Sequence, residues 1–196
     1  MATTRLMPLH TGKGRTVGQA ISAIIDYTEN PQKTDGGRLI TSWQCDSRIA
    51  DAEFLFTKNQ YIQKTGSVRG EEDMIAYHLR QSFVPGEITA EEANRLGCEL
   101  AKRFTKGNHA YIVCTHIDKA HIHNHVIWSS TALSQTRKFR NFGAAAAPFG
   151  GSTIDNLAFF MYNKRYALNN AHRTMHFAMK GCGIWLRKIN SQRKKW

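Results

Sequence analysis

Acidic residues are scarce in this 196-residue sequence. Against 27 lysines and arginines stand 15 aspartates and glutamates, which leaves a net charge of +12 and a pI near 9.8. Such an excess favours a polyanionic partner, nucleic acid first and an anionic membrane surface second. The shortage is sharpest at the end: residues 142–196 carry nine basic residues and only Asp155, whereas residues 1–141 carry 18 basic and 14 acidic ones. Charge alone therefore says little about the first part. Cysteine is also sparse: Cys45, Cys98, Cys114 and Cys182 are scattered without a CxxC pair, which excludes a disulfide framework and reads as reduced thiols in a cytoplasmic protein. The N-terminus lacks the charged, apolar, small-residue order of a signal peptide. No apolar run approaches the roughly 18 residues that cross a bilayer, so a soluble chain without membrane insertion is expected.

What is present is enough for one well-filled core, with no internal repeat. Residues 1–15 read as a strand followed by a basic loop with Gly12 and Gly14. Thr16 and Gln19 have capping-box spacing, and Val17, Ala20, Ile21, Ile24 and Ile25 follow at helical intervals, predicting a helix to about Glu29 that Asn30-Pro31 stops. Tyr27 falls on the border of that stripe, where its ring can pack while its hydroxyl reaches out; a core tyrosine is the plainer alternative. Arg38–Gln44 reads as a strand, Ile49–Gln63 as a helix with apolar bulk from Ala52, Phe54, Leu55 and Phe56, and Gly66–Glu72 as a polar connection.

From Ile75 to Phe83, Ile75, Tyr77, Leu79 and Phe83 alternate with Ala76, His78, Arg80 and Ser82, the period of a strand with one buried face and one polar, potentially functional face. Thr89 and Glu92 form a second capping box before a helix ending near Lys106-Gly107. Ala110–His116 and His121–Ser130 then form two strands of a hairpin. The order βαβαβαββ predicts an α/β (α+β) fold: a mainly antiparallel central sheet of about five strands, helices packed on one face and the histidine site on the other. Beyond Arg140 the character changes. Residues 142–152 read as a low-complexity linker and 153–196 as a basic, aromatic tail with helical patterns over 154–169 and 174–188.

Four of the nine histidines lie in His116-Ile-Asp-Lys-Ala-His-Ile-His-Asn-His125. In a strand His121, His123 and His125 project to one face, and His116, closing the preceding strand, can complete the cluster. Neutral imidazoles suit a first-row divalent ion, and three of them leave coordination positions open. Asp118 can be a ligand, an acceptor that fixes a histidine tautomer or a turn residue; the acceptor role is preferred. The plainer readings are an exposed histidine-rich strand or a closed metal site that only stabilises the fold.

The segment His116-x-Asp-x-x-His-x-His-x-His125 resembles the third motif of conjugative relaxases, the mobilisation nucleases of the MobA/VirD (MobP) class within the HUH endonucleases. The resemblance extends over residues 1–141 and includes the tyrosine-bearing first helix and Ser82-Phe-Val-Pro-Gly-Glu87 before a helix. It implies a relaxase-like nuclease domain in which Tyr27 is the nucleophile, His116, His123 and His125 are the metal triad, and His121 is auxiliary. Tyr61, Tyr77 and Tyr111 lie in predicted core elements, and Tyr162 and Tyr166 lie beyond the matching region.

The implied chemistry is site- and strand-specific nicking of single-stranded DNA at a transfer origin. It leaves a 5′-phosphotyrosyl enzyme and a free 3′-hydroxyl, and reverse transfer can reseal the strand. Phenols ionise only near pH 10, so the attack needs a positive field or a nearby base. Arg5, Lys13, Arg15, His78 and Arg80 are the candidate DNA contacts. Ligand softness favours Mn²⁺, Zn²⁺ or Ni²⁺ and cellular abundance favours Mg²⁺, so one divalent ion, Mn²⁺ or Mg²⁺, is expected. Expected partners are single-stranded and adjoining duplex DNA at the origin, with accessory DNA-binding and secretion-coupling proteins, in the bacterial cytoplasm. Two rivals stand beside this reading: a metallohydrolase using activated water, for which only His172 and His176 offer further ligands, and a noncatalytic DNA-binding remnant.

Overall fold

The computed structural model describes residues 2–12, 14–67 and 73–139. Lys13, most of the expected polar connection, the linker, the tail with Tyr162, Tyr166, His172 and His176, and Cys182 lie outside them. The elements run β1 (Thr3–His10), α1 (Val17–Thr28), β2 (Ile40–Trp43), a 3-10 turn (Ser47–Ile49), α2 (Ala50–Thr65), β3 (Met74–Ser82), α3 (Ala90–Thr105), β4 (Tyr111–His116) and β5 (His123–Ser129). The predicted alternation of strands and helices is the observed one. The five strands form one sheet in the order β1-β3-β5-β4-β2, antiparallel at every junction.

Local chemistry sets the helix ends. At α1 the Thr16 Oγ1 accepts from Gln19 N at 3.2 Å while Gln19 Oε1 accepts from Thr16 N at 2.9 Å, so two orphan amides are satisfied reciprocally. At its far end the Thr28 hydroxyl donates to the carbonyls of Ile24 and Ile25, both at 3.0 Å, and Asn30-Pro31 turns the chain away. Thr89 caps α3 by accepting from Glu92 N, and Lys106 ends it in the left-handed region at φ 54°. Ala50, Phe54, Lys58 and Tyr61 form the buried stripe of α2. Phe56, expected to supply apolar bulk, is 60% exposed. Its place on the stripe is taken by Lys58, which is 5% exposed because its ammonium pairs with Asp73, itself also held by Lys138.

The layering corrects one expectation: helices cover both faces of the sheet. Ala20, Ile21 and Ile25 of α1 and Ala50 and Phe54 of α2 pack with Ile112, Cys114 and Ile127. The opposite face belongs to α3, where an added Cβ on Gly97 would lie 2.7 Å from both Val113 Cγ1 and Asn124 Nδ2. β4 and β5 are buried along their whole length, so residues of both parities need cover, and one helical layer cannot supply it. The histidines 116, 123 and 125 share the parity of Ile112, Cys114 and Ile127, so the site lies on the face of α1, beyond the end of its apolar cover. Cys45, Cys98 and Cys114 are free thiols. Among the described residues, no helix is long and apolar enough to cross a membrane.

Candidate metal centre and nucleophile

The β4–β5 hairpin register places His116 directly opposite His123, and Cys114 opposite His125. Because alternate residues of a strand share a face, three imidazoles converge. Their ring centroids lie 4.4 Å (His116–His125), 5.1 Å (His116–His123) and 5.1 Å (His123–His125) apart. One nitrogen from each lies within 4.8 Å of the others, a group able to hold a metal ion.

Hydrogen bonds decide which nitrogen each ring can offer. His116 Nε2 lies 2.8 Å from the Thr28 carbonyl, which can only accept, so Nε2 carries the proton and Nδ1 keeps its lone pair. His123 makes a longer contact of the same sense, Nδ1 to the His121 carbonyl at 3.4 Å, leaving Nε2. His125 Nδ1 lies 2.6 Å from His78 Nε2, and its own Nε2 is buried with no partner. A buried imidazole nitrogen without a partner costs free energy unless something completes it, and a cation does so. The donor set thus fits a divalent ion: three neutral nitrogens with their outer partners already fixed.

The rings are neutral for a physical reason. Burial lowers the pKa of His116 and of His123. Burial first, then the neighbouring histidines His78, His116 and His123, pushes His125 down to about 2. His78 is driven to about 4 by burial and then by Arg80 and His116. Protons therefore do not compete for the free nitrogens at neutral pH.

Tyr27 is 50% exposed in the last turn of α1. Its ring meets His125 edge-on at 5.8 Å and His116 at 6.1 Å between centroids. His121 is partly exposed with its ring 5.2 Å from His123, and its carbonyl rather than its ring makes the supporting contact. Asp118 is exposed in the turn after β4 and acts on His116 and His123 through its charge; the hydrogen bonds that orient the triad come from Thr28, His121 and His78 instead.

Of the expected DNA contacts, Arg5 and Arg80 are exposed and directly opposite each other on β1 and β3, and Arg80 is in turn opposite His125. Arg15 is exposed in the loop before α1. His78 is not a surface cation: it is 8% exposed and bonded to His125. Its alternation on the polar face of β3 marked it, but its partner is a diagonal neighbour on another strand. Lys33, absent from the sequence reading, holds its ammonium 4.2 Å from the centroid of the Tyr27 ring.

The sequence is similar to those of known proteins to different extents. The chain is 36% identical over 142 residues, 72% of its length, to protein rlx of Staphylococcus aureus, and covers 38% of that protein. It is 30% identical over 139 residues to the group II intron-interrupted relaxase LtrB of Lactococcus lactis, 61% of this chain and 24% of that one. The chain thus spans well under half the length of these relatives. A solved structure from "Molecular Basis of Vancomycin Resistance Transfer in Staphylococcus aureus" aligns over 84% of the chain and 94% of its own length, with a TM-score of 0.49 at 13% identity. The family described as the MobA/VirD2-like relaxase nuclease domain matches residues 27–147, more than half of the sequence. Residues 27–147 start at the tyrosine and include the whole histidine hairpin, and the chain belongs to the MobA/VirD2-like relaxase family.

Proposed function

We propose that this chain nicks single-stranded DNA at a transfer origin by attack of Tyr27 on a phosphodiester, with His116, His123 and His125 holding one divalent ion, Mn²⁺ or Mg²⁺. The observation that carries the reading is the half-exposed Tyr27 ring standing within 6.1 Å of two buried histidines that keep an open nitrogen. When bound, the ion supplies positive charge to the non-bridging oxygens of the scissile phosphate. The residues do the rest. As the Tyr27 Oη–P bond forms, the P–O3′ bond breaks; the phenolic proton leaves to solvent and the 3′ oxygen takes one up. The phosphotyrosyl bond keeps the phosphodiester reactive, so the 3′-hydroxyl can return and reseal the strand.

Arg80 and Arg5 extend the site outward. They occupy successive strands beyond His125, at about 4.8 Å per strand. Like charges directly opposite on a sheet repel, and neither arginine has a carboxylate partner among the described residues. A phosphate lying between them relieves that repulsion, which suits a single strand running from the histidines across β3 to β1, with Arg15 and Lys13 as further contacts. Adjoining duplex DNA, accessory DNA-binding proteins and secretion-coupling proteins in a bacterial cytoplasm complete the proposed setting.

The test is a denaturing gel of the protein with Mn²⁺ and single-stranded DNA carrying its transfer origin. A covalent adduct that disappears with chelator and in Tyr27→Phe is expected. Cleavage without an adduct and insensitive to Tyr27→Phe identifies a water-using hydrolase, and binding without cleavage identifies a noncatalytic remnant.

A further inference from the structure

The turn between α1 and β2 delivers a cation to the nucleophile. Lys33 N donates to the Asn30 carbonyl at 3.0 Å, and the Lys33 carbonyl accepts from Ile117 N at 2.9 Å. Ile117 follows His116, so the turn is stitched to the strand end that carries a ligand. The Lys33 ammonium lies 4.2 Å from the Tyr27 ring centroid in a partly buried position. Asp35, the nearest acid in sequence, is engaged by Arg38 at 3.0 Å, and no ion pair reaches Lys33 among the described residues. An ammonium over an aromatic face gains only modestly from the ring, less than a full anionic partner offers.

We propose that Lys33 is the residue that binds the phosphoryl group while it is joined to Tyr27, its ammonium donating to a non-bridging oxygen. This rests on the relaxase reading and deepens it. The phosphodiester carries one negative charge before and after the transfer and gathers more on its non-bridging oxygens in between: one P–O bond forms to Tyr27 as one breaks to the 3′ oxygen, the phenolic proton going to solvent and the 3′ oxygen taking one up. A cation fixed on the tyrosine side therefore favours both nicking and resealing. The competing use of Lys33 is mechanical, its alkyl stem merely covering the ring, and that role would be kept by methionine.

Two measurements separate them. In the Tyr27→Phe background with Mn²⁺ bound, the affinity for single-stranded origin DNA is followed against salt. Lys33→Met is expected to flatten the log–log slope by about 0.7, the loss of one phosphate contact, whereas Lys33→Arg keeps it and Lys102→Met, on α3 at the opposite face, leaves it unchanged. In the unsubstituted background, single-turnover adduct formation is expected to fall on the order of a hundredfold in Lys33→Met and to return in Lys33→Arg. An unchanged slope and an adduct rate within about twofold of the parent's overturn the role of Lys33 while leaving the relaxase reading intact. Failure of the unsubstituted protein to form any adduct overturns that reading, and the role of Lys33 falls with it.

Discussion

On one face of β5 the buried Asn124 is saturated: its amide donates to Gln81 Oε1 at 3.0 Å and to the Ala93 carbonyl at 2.6 Å, and its oxygen accepts from the Thr115 hydroxyl at 2.7 Å. On the other face its neighbours His123 and His125 are buried too, yet each keeps a nitrogen unused. Both sets of groups have given up water, but only one has recovered its hydrogen bonds within the chain. Asn124 ties β5 to α3, β3 and β4 and so fixes the strand that aims the histidines. The histidines in turn hold an unspent capacity for a ligand. Polar burial that is complete builds the scaffold; polar burial left open on purpose-built rings is where chemistry is placed.

The contrast can be broken from the scaffold side first. Asn124→Leu removes the partner of Gln81 Oε1 and the side-chain donor to the Ala93 carbonyl and leaves the Thr115 hydroxyl with Asn94 Nδ2 alone, and is expected to cost about 3 kcal/mol in urea unfolding. Metal affinity of the molecules that stay folded is expected to remain close to the parent's.

From the site side, His78→Phe removes the ring nitrogen bonded to His125 Nδ1, the contact that orients a proposed ligand. Calorimetric titration with Mn²⁺ is expected to show a ten- to hundredfold weaker site with little change in apo stability. The reverse pattern, unchanged affinity and a large loss of stability, would make His78 part of the scaffold.

The smallest effect concerns Glu29, whose Oε1 is buried on the α1 side without a partner. Burial, then Asp26, Asp51 and Asp46, raises its carboxyl from 4.5 to about 7. The folded protein therefore holds this proton more tightly than the unfolded chain. Its contribution to stability is full below pH 4.5 and is lost as pH rises to about 7. Glu29→Gln should match the parent in thermal melts at pH 4 and exceed it at pH 8, by roughly 1 kcal/mol once solvent screening of a half-exposed group is discounted.

Much of this was legible from local pattern. The capping box at Thr16, the cap at Thr89, the alternation through β3 and the short turn between β4 and β5 each depend on residues close in sequence, and element order followed from them. The convergence of His116 with His123 was legible too, because a short hairpin turn fixes register. What escaped depends on contacts between strands distant in sequence. The bond from His78 to His125 spans 47 positions. Lys58 within the apolar stripe of α2 is explained only by Asp73 and Lys138. The second helical layer follows from burial on both faces of β4 and β5, whereas the polar face of β3 suggested an uncovered side.

The bond between the end of α1 and His116 is also a mechanical link. The Thr28 carbonyl that orients His116 belongs to the residue immediately after Tyr27. The proposed nucleophile and one arm of the candidate cation site are thereby yoked through a single peptide unit. If α1 tilts or slides against the sheet, Tyr27 cannot drift away from His116 without first tearing that link. The end of α1 works as a coupling pin, so that Tyr27 and His116 travel together while neighbouring elements adjust around them.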